Sequence, residues 1–206
     1  MPLTTYTELQ SAIGDWLNRG DLASVIPSFI SLAESYFDKN LRTREMLTTV
    51  EIDATDGSAP LPADMAELLT VRSTTRNNRR LELLPPREAI AAEEVERASA
   101  LDFYTLVGAN LRLVPRLPSA ERLQIDYYAR VPRLGAGQPS NWLLVRSPEL
   151  YLYGALVQSA PYLKDDARVP VWADLLQRGL DDLRVDNERA EYGGSNLRIR
   201  TRGFGA

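Results

Sequence analysis

The chain has 206 residues, of which 44% are hydrophobic and 25% charged, and its net charge is −4. That suits one domain, or one domain carrying a smaller inserted one, with enough chain to bury a core unaided. The lack of cysteine excludes disulfide scaffolds and thiolate chemistry, and the lack of histidine excludes Ser-His-Asp catalysis and imidazole metal ligands. The acidic balance excludes a surface that grips DNA over its whole extent, while suiting a channel that DNA slides through.

Thr5 with Glu8 three residues on reads as a capping box, and Tyr6, Leu9, Ile13, Trp16 and Leu17 recur at helical spacing. Asn18-Arg19-Gly20-Asp21 is a turn. Pro27 suits the first turn of a second helix, with Phe29, Ile30, Ala33, Tyr36, Phe37 and Leu41 on its apolar face. After Arg44 the period changes. Thr48 to Asp53 reads as a strand ending at an Asp56-Gly57 turn. Asp64 is placed to cap a short helical turn at Met65 to Leu68. Leu69 to Ser73 and Arg80 to Leu84 read as a strand pair around a polar tip, and Pro86 to Arg97 as a charged helix. Gly108-Ala109-Asn110 joins two further strands, and Leu123 to Val131 alternates apolar and polar.

A Pro- and Gly-rich loop over Pro132 to Ser140 leads back to helical spacing. One helix starts at Pro148, and a last one runs from about Pro170 to Glu191 with Trp172, Leu175, Leu176, Leu180 and Leu183 as its stripe. Each terminal helix pair has one apolar face that it cannot bury alone. The expected fold is therefore α+β: a discontinuous four-helix bundle from both ends of the chain, a small antiparallel β module inserted in it, and an extended C-terminal arm. The expected division is residues 1–44 and 141–192 for the bundle, 45–140 for the insertion and 193–206 for the arm.

The search for chemistry yields no catalytic set, no metal set and no cofactor motif. Asp165-Asp166 and Asp181-Asp182 are the carboxylate pairs, but adjacent helical residues point about 100° apart, so neither pair converges on one ion. Gly135-Ala136-Gly137 lacks the rest of a phosphate loop. Asp53-Ala54-Thr55-Asp56-Gly57 lacks the closing acidic residue of a calcium loop and reads as a turn. Arg76, Arg79 and Arg80 form a basic hairpin tip, either a solvated loop or a contact for a phosphate backbone or an acidic partner. Beyond Gly193-Gly194, Leu197, Ile199 and Thr201 alternate with Arg198, Arg200 and Arg202. These three arginines carry +3 in a chain of net charge −4, which leaves the remainder at −7. The segment reads either as a solvated end or as an arm that orders on a partner by strand addition or Arg–carboxylate pairing. No stretch approaches the ~20 apolar residues of a membrane span, and Met1 to Glu8 lacks the pattern of a secretory signal. The expected site of synthesis is the cytoplasm.

Several segments taken together carry a resemblance. They are Ile26-Pro27-Ser28-Phe29-Ile30, Leu61-Pro62-Ala63-Asp64, Asn141-Trp142-Leu143-Leu144, Tyr151-Leu152-Tyr153-Gly154-Ala155-Leu156, Ala160-Pro161-Tyr162-Leu163-Lys164-Asp165-Asp166 and Trp172. In this order they resemble the head-to-tail adaptor (connector) proteins of tailed bacteriophages, across nearly the whole chain. The resemblance implies a structural virion subunit at the head–tail junction, made in the host cytoplasm and without enzymatic activity. It implies a homo-oligomeric ring, usually of twelve subunits, beneath the portal protein. The ring docks tail or nozzle proteins and passes genomic DNA without sequence specificity. By position it makes Leu197, Arg198, Ile199, Arg200, Arg202 and Phe204 a portal-binding arm. Aromatic enrichment at interfaces nominates Trp142, Tyr151 and Trp172 for a subunit contact, and its positive charge nominates the tip Arg76, Arg79 and Arg80 for the DNA channel or a partner. Two alternatives stand beside it: an assembly scaffold or chaperone absent from the particle, and an enzyme using Asp165 and Asp166 with a divalent ion.

Overall fold

The computed structural model describes residues 3–94, 103–116, 119–163 and 167–192. Among these the helices are α1 (Tyr6–Leu17), α2 (Ile26–Asn40), α3 (Pro86–Glu94), α4 (Trp142–Arg146), α5 (Pro148–Gln158), α6 (Ala160–Leu163) and α7 (Val169–Tyr192). The strands are β1 (Leu47–Ala54), β2 (Ser58–Pro60), β3 (Met65–Ser73), β4 (Arg79–Leu83), β5 (Phe103–Val107), β6 (Asn110–Val114) and β7 (Glu121–Ala129). The chain divides into two compact units, Met1–Arg44 with Pro132–Ala206, and Glu45–Val131.

In the first unit α1 opens on the capping box. The Glu8 N–H donates to Thr5 Oγ1 (3.3 Å) and the Thr5 N–H donates to Glu8 Oε2 (3.0 Å). Asn18, at a φ of 53°, ends the helix in the left-handed region. α2 starts with Pro27 in its first turn and buries Phe29, Ile30, Ala33 and Phe37. α7 is a surface helix whose buried apolar positions, Trp172, Leu176, Leu180 and Leu183, form one narrow stripe. α5 differs from both. Leu150, Tyr151, Leu152, Ala155 and Leu156 are buried around most of its circumference, and it packs against α1, α2, α4 and α7. Two glycines permit the close approach. A Cβ on Gly154 would lie 3.1 Å from both Ala33 Cβ and Phe37 Cζ of α2, and one on Gly179 of α7 would lie 2.8 Å from Leu150 Cδ2.

In the second unit the seven strands form one mixed sheet in the order β1-β7-β3-β4-β5-β6-β2. Its two outer strands, β1 and β2, are the arms of one hairpin turned by Asp56 and Gly57, both at positive φ, and bridged at Thr55 and Ser58. The sheet is therefore nearly closed and barrel-like, and its inner face buries Val71, Leu81, Leu111, Leu113, Leu123 and Ile125. β4 and β5 run parallel, with α3 on the connection between them.

The fold class is α+β, but the expected four-helix bundle with a small antiparallel β module does not form. The bundle expectation gave every helix a single apolar face, whereas α5 has several and sits among the others. The β module expectation paired neighbours in sequence only. The parallel β4–β5 pair and the long-range pairs β1–β7 and β3–β7 convert it into the nearly closed sheet. The expected helical turn at Met65 to Leu68 is instead the start of β3. The Asp64 carboxylate accepts from the Tyr127 hydroxyl (3.1 Å), and its carbonyl accepts from the Arg130 N–H (2.7 Å), so Asp64 is engaged by β7 and its exit instead of capping a helix. The expected arm, residues 193–206, lies outside the described residues.

Candidate docking surfaces

The returning segment 132–141 is held in the helical unit by a buried carboxylate. Glu34 of α2 is 3% exposed. Its Oε1 accepts from the Leu134 N–H (2.7 Å) and, at 3.5 Å, from the Tyr151 hydroxyl. Its Oε2 meets Arg133 Nη1 at 3.5 Å, and Arg133 Nη2 donates to Asp38 Oδ2 at 2.6 Å. Asn141 caps α4 by accepting from the Leu144 N–H (2.9 Å), and its Nδ2 donates to the Pro132 carbonyl (2.6 Å) and the Tyr151 hydroxyl (2.7 Å). Burial pushes the Glu34 carboxyl up, the Leu134 N–H and Arg133 pull it partly back, and Asp38 adds to the rise. Burial also pushes the Tyr151 phenol well above its ordinary value. The arrangement clasps chain to chain and leaves Tyr151 fully buried, its ring edge-on to Phe37 at 5.3 Å.

The other two aromatics nominated for a subunit contact have different surroundings. Trp172 is buried on α7 beneath the Arg168 guanidinium, 4.9 Å from its ring centre. Trp142 on α4 is half-buried and is the most accessible of the three. Two further aromatics escaped the sequence reading as surface residues. Trp16, 44% exposed, stacks edge-on against Tyr153, and Tyr162, 53% exposed, does so against Phe29. The period-3.6 pattern assigned Trp16 to the core; only packing shows that its outer edge reaches solvent.

At the tip between β3 and β4, Asn77 and Asn78 both take positive φ, and the Arg79 N–H donates to the Arg76 carbonyl at 3.2 Å. The tip separates the three arginines. Arg76 turns inward and its Nε donates to Glu121 Oε1 at 3.1 Å, while Arg79 and Arg80 are exposed. Glu121 is 5% exposed and accepts further bonds from the hydroxyls of Ser73 (3.1 Å) and Thr75. Burial pushes its carboxyl up, but the bonds from Thr75, Arg76 and Ser73 together outweigh that and hold it below the ordinary range. Glu121 was not legible as a partner because 45 residues separate it from Arg76.

For ion chemistry, Asp165 and Asp166 lie outside the described residues, as do the arm residues Leu197, Arg198, Ile199, Arg200, Arg202 and Phe204. Asp181 and Asp182 are exposed on α7, with Asp181 engaged by Gln177 and Arg184. Among the described residues no group of three or more acidic, histidine or cysteine side chains is placed to hold a metal ion. None of the described helices is long and apolar enough to cross a membrane.

A family model described as SU10 adaptor protein matches residues 4–200. The chain belongs to this family. The match takes in both compact units and runs past the end of α7 into the terminal segment. The family is one of structural bacteriophage adaptors, and the chain accordingly has the role of a structural virion component. No curated protein matches the chain.

Proposed function

We propose that copies of this chain form a ring at the head–tail junction, seated beneath the portal, which extends the DNA channel and docks tail proteins. The observation that carries the reading is the family match over residues 4–200. Three features of the molecule support it. The net charge of −4 suits a conduit that must not retain DNA. The basic tip bearing Arg79 and Arg80 offers a site for transient phosphate or acidic contacts. The exposed aromatic edges of Trp16 and Tyr162 are of the residue types that anchor protein interfaces.

The test mixes the purified protein with purified portal rings and images the mixture by negative stain. An added ring of density on one face of the portal is expected, together with the chain's presence in purified virions by mass spectrometry. Unaltered portal rings, or virions lacking the chain, overturn the reading.

A further inference from the structure

The chain leaves the helical unit at Arg44 and comes back to it at Pro132. A buried asparagine of the helical unit holds the backbone at each of these passages. On the return, Asn141 holds the Pro132 carbonyl and Glu34 holds the Leu134 N–H. Glu34 lies on α2 among buried Phe29, Ile30, Ala33 and Phe37, so this clasp is set in the core of the unit. The outward passage is held differently. Arg44 opens a short 3-10 turn, Arg44–Met46, so its N–H has no acceptor within that turn. It donates to Asn187 Oδ1 of α7 at 2.8 Å, across 143 residues of sequence. The Asn187 Nδ2 in turn donates to Glu191 Oε1 at 2.9 Å. A carboxylate only accepts, so Glu191 fixes the amide with its oxygen toward Arg44. From the same end of α7, Arg184 Nη2 reaches the Asn40 carbonyl at the end of α2 at 3.5 Å. From Arg184 to Glu191, Asn187 is the one buried residue and all the others are exposed. The apolar stripe of α7 stops at Leu183, and polar contacts alone hold the helix beyond it.

We infer that the end of α7, from Arg184 to Glu191, is a latch on the outward passage. While it is helical, Asn187 is in place to hold Arg44. When it opens, residues 42–46 are released and the return stays clasped. The asymmetry follows from burial. Opening a helix end that buries no apolar side chain costs far less than opening the core around Glu34. The chain continues beyond Tyr192, so a partner that grips it there acts first on this latch, steadying the helix end and with it the passage into the β unit. The latch itself is independent of the ring reading. Only the step from partner to latch rests on it, with the portal as the partner.

Amide hydrogen exchange of the full-length protein, read by mass spectrometry, tests both steps. In the wild type, residues 42–46 should exchange together with residues 185–191 and faster than residues 133–144. Asn187→Ala should speed exchange over 42–46 by about tenfold and leave 133–144 unchanged, and Asn141→Ala should do the converse. Glu191 is exposed, so its variants keep the fold. Glu191→Ala lets the Asn187 amide turn over and should speed 42–46 by about threefold. Glu191→Gln keeps an acceptor for Nδ2 and should leave the rate as it was. Equal acceleration of both passages by Asn187→Ala would mean general loosening and would overturn the latch. So would exchange over 42–46 that ignores both Asn187→Ala and Glu191→Ala. Purified portal rings should then slow exchange over 42–46 in the wild type and not in Asn187→Ala. Rings that bind yet leave 42–46 unchanged overturn the step from partner to latch. A portal that does not bind at all overturns the ring reading, while the variants alone decide the latch.

Discussion

Glu34 in the helical unit and Glu121 in the β unit are both buried beside an arginine, yet they titrate in opposite senses. Burial raises Glu34, and its chief compensation is one backbone N–H, with Arg133 at 3.5 Å and Asp38 adding like charge. Burial acts on Glu121 as well, but three side chains, Thr75, Arg76 and Ser73, donate to it and reverse the sign. The difference lies in the number and closeness of donors rather than in the presence of a cation. A hairpin tip can gather donors cheaply, because neighbouring residues on one loop already face the same point. Glu34 must collect its partners from a segment a hundred residues away.

The largest effect is expected from Glu34→Ala. It strands the buried Leu134 N–H and removes an acceptor of the Tyr151 hydroxyl, while Arg133 keeps its bond to Asp38. Urea denaturation should show a loss of about 2–4 kcal/mol; a loss below about 1 kcal/mol would mean that the clasp does not hold the returning segment. Next comes Gly154→Val. Its added Cβ meets α2 at 3.1 Å and a branched side chain cannot turn away, so thermal and urea melts should show a loss of about 1–3 kcal/mol. An unchanged melt would mean that α5 and α2 are not packed this closely.

The smallest effects sharpen the comparison of the two carboxylates through pH. A carboxyl held above its ordinary 4.5 binds its proton more tightly in the folded chain. Stability from Glu34 is therefore full below 4.5 and falls as pH rises through the raised value. For Glu121, held below 4.5, stability is present above that value and is lost as pH falls through the lowered one. Glu34→Gln should flatten the limb of the stability profile above pH 4.5, and Glu121→Gln the limb below it. Both substitutions acting on the same limb would show that the opposite titration is wrong.

Local signals in the chain located much of this. The Thr5 capping box, Pro27 at the head of α2, the Asp56-Gly57 turn and the alternation over Leu123, Ile125 and Tyr127 each depend on residues a few positions apart. Each appears in the structure where the spacing places it. The docking surfaces were less legible. Arg76, Arg79 and Arg80 look equivalent in sequence until Glu121 takes one of them inward. Tyr151 and Trp172 carry the ring chemistry of an interface but are packed inside their own unit.

The sequence by itself determined where helices start, where hairpins turn and which strand faces are apolar, because those choices are made by neighbouring residues. It also carried, in segments spread along the chain, the resemblance to a phage adaptor. Only the tertiary structure decided that α5 lies among the other helices and that the strands nearly close on themselves with a seam between β3 and β4. Those outcomes turn on which distant faces meet, and that depends on small packing differences such as the Cβ missing from Gly154, which no local period records.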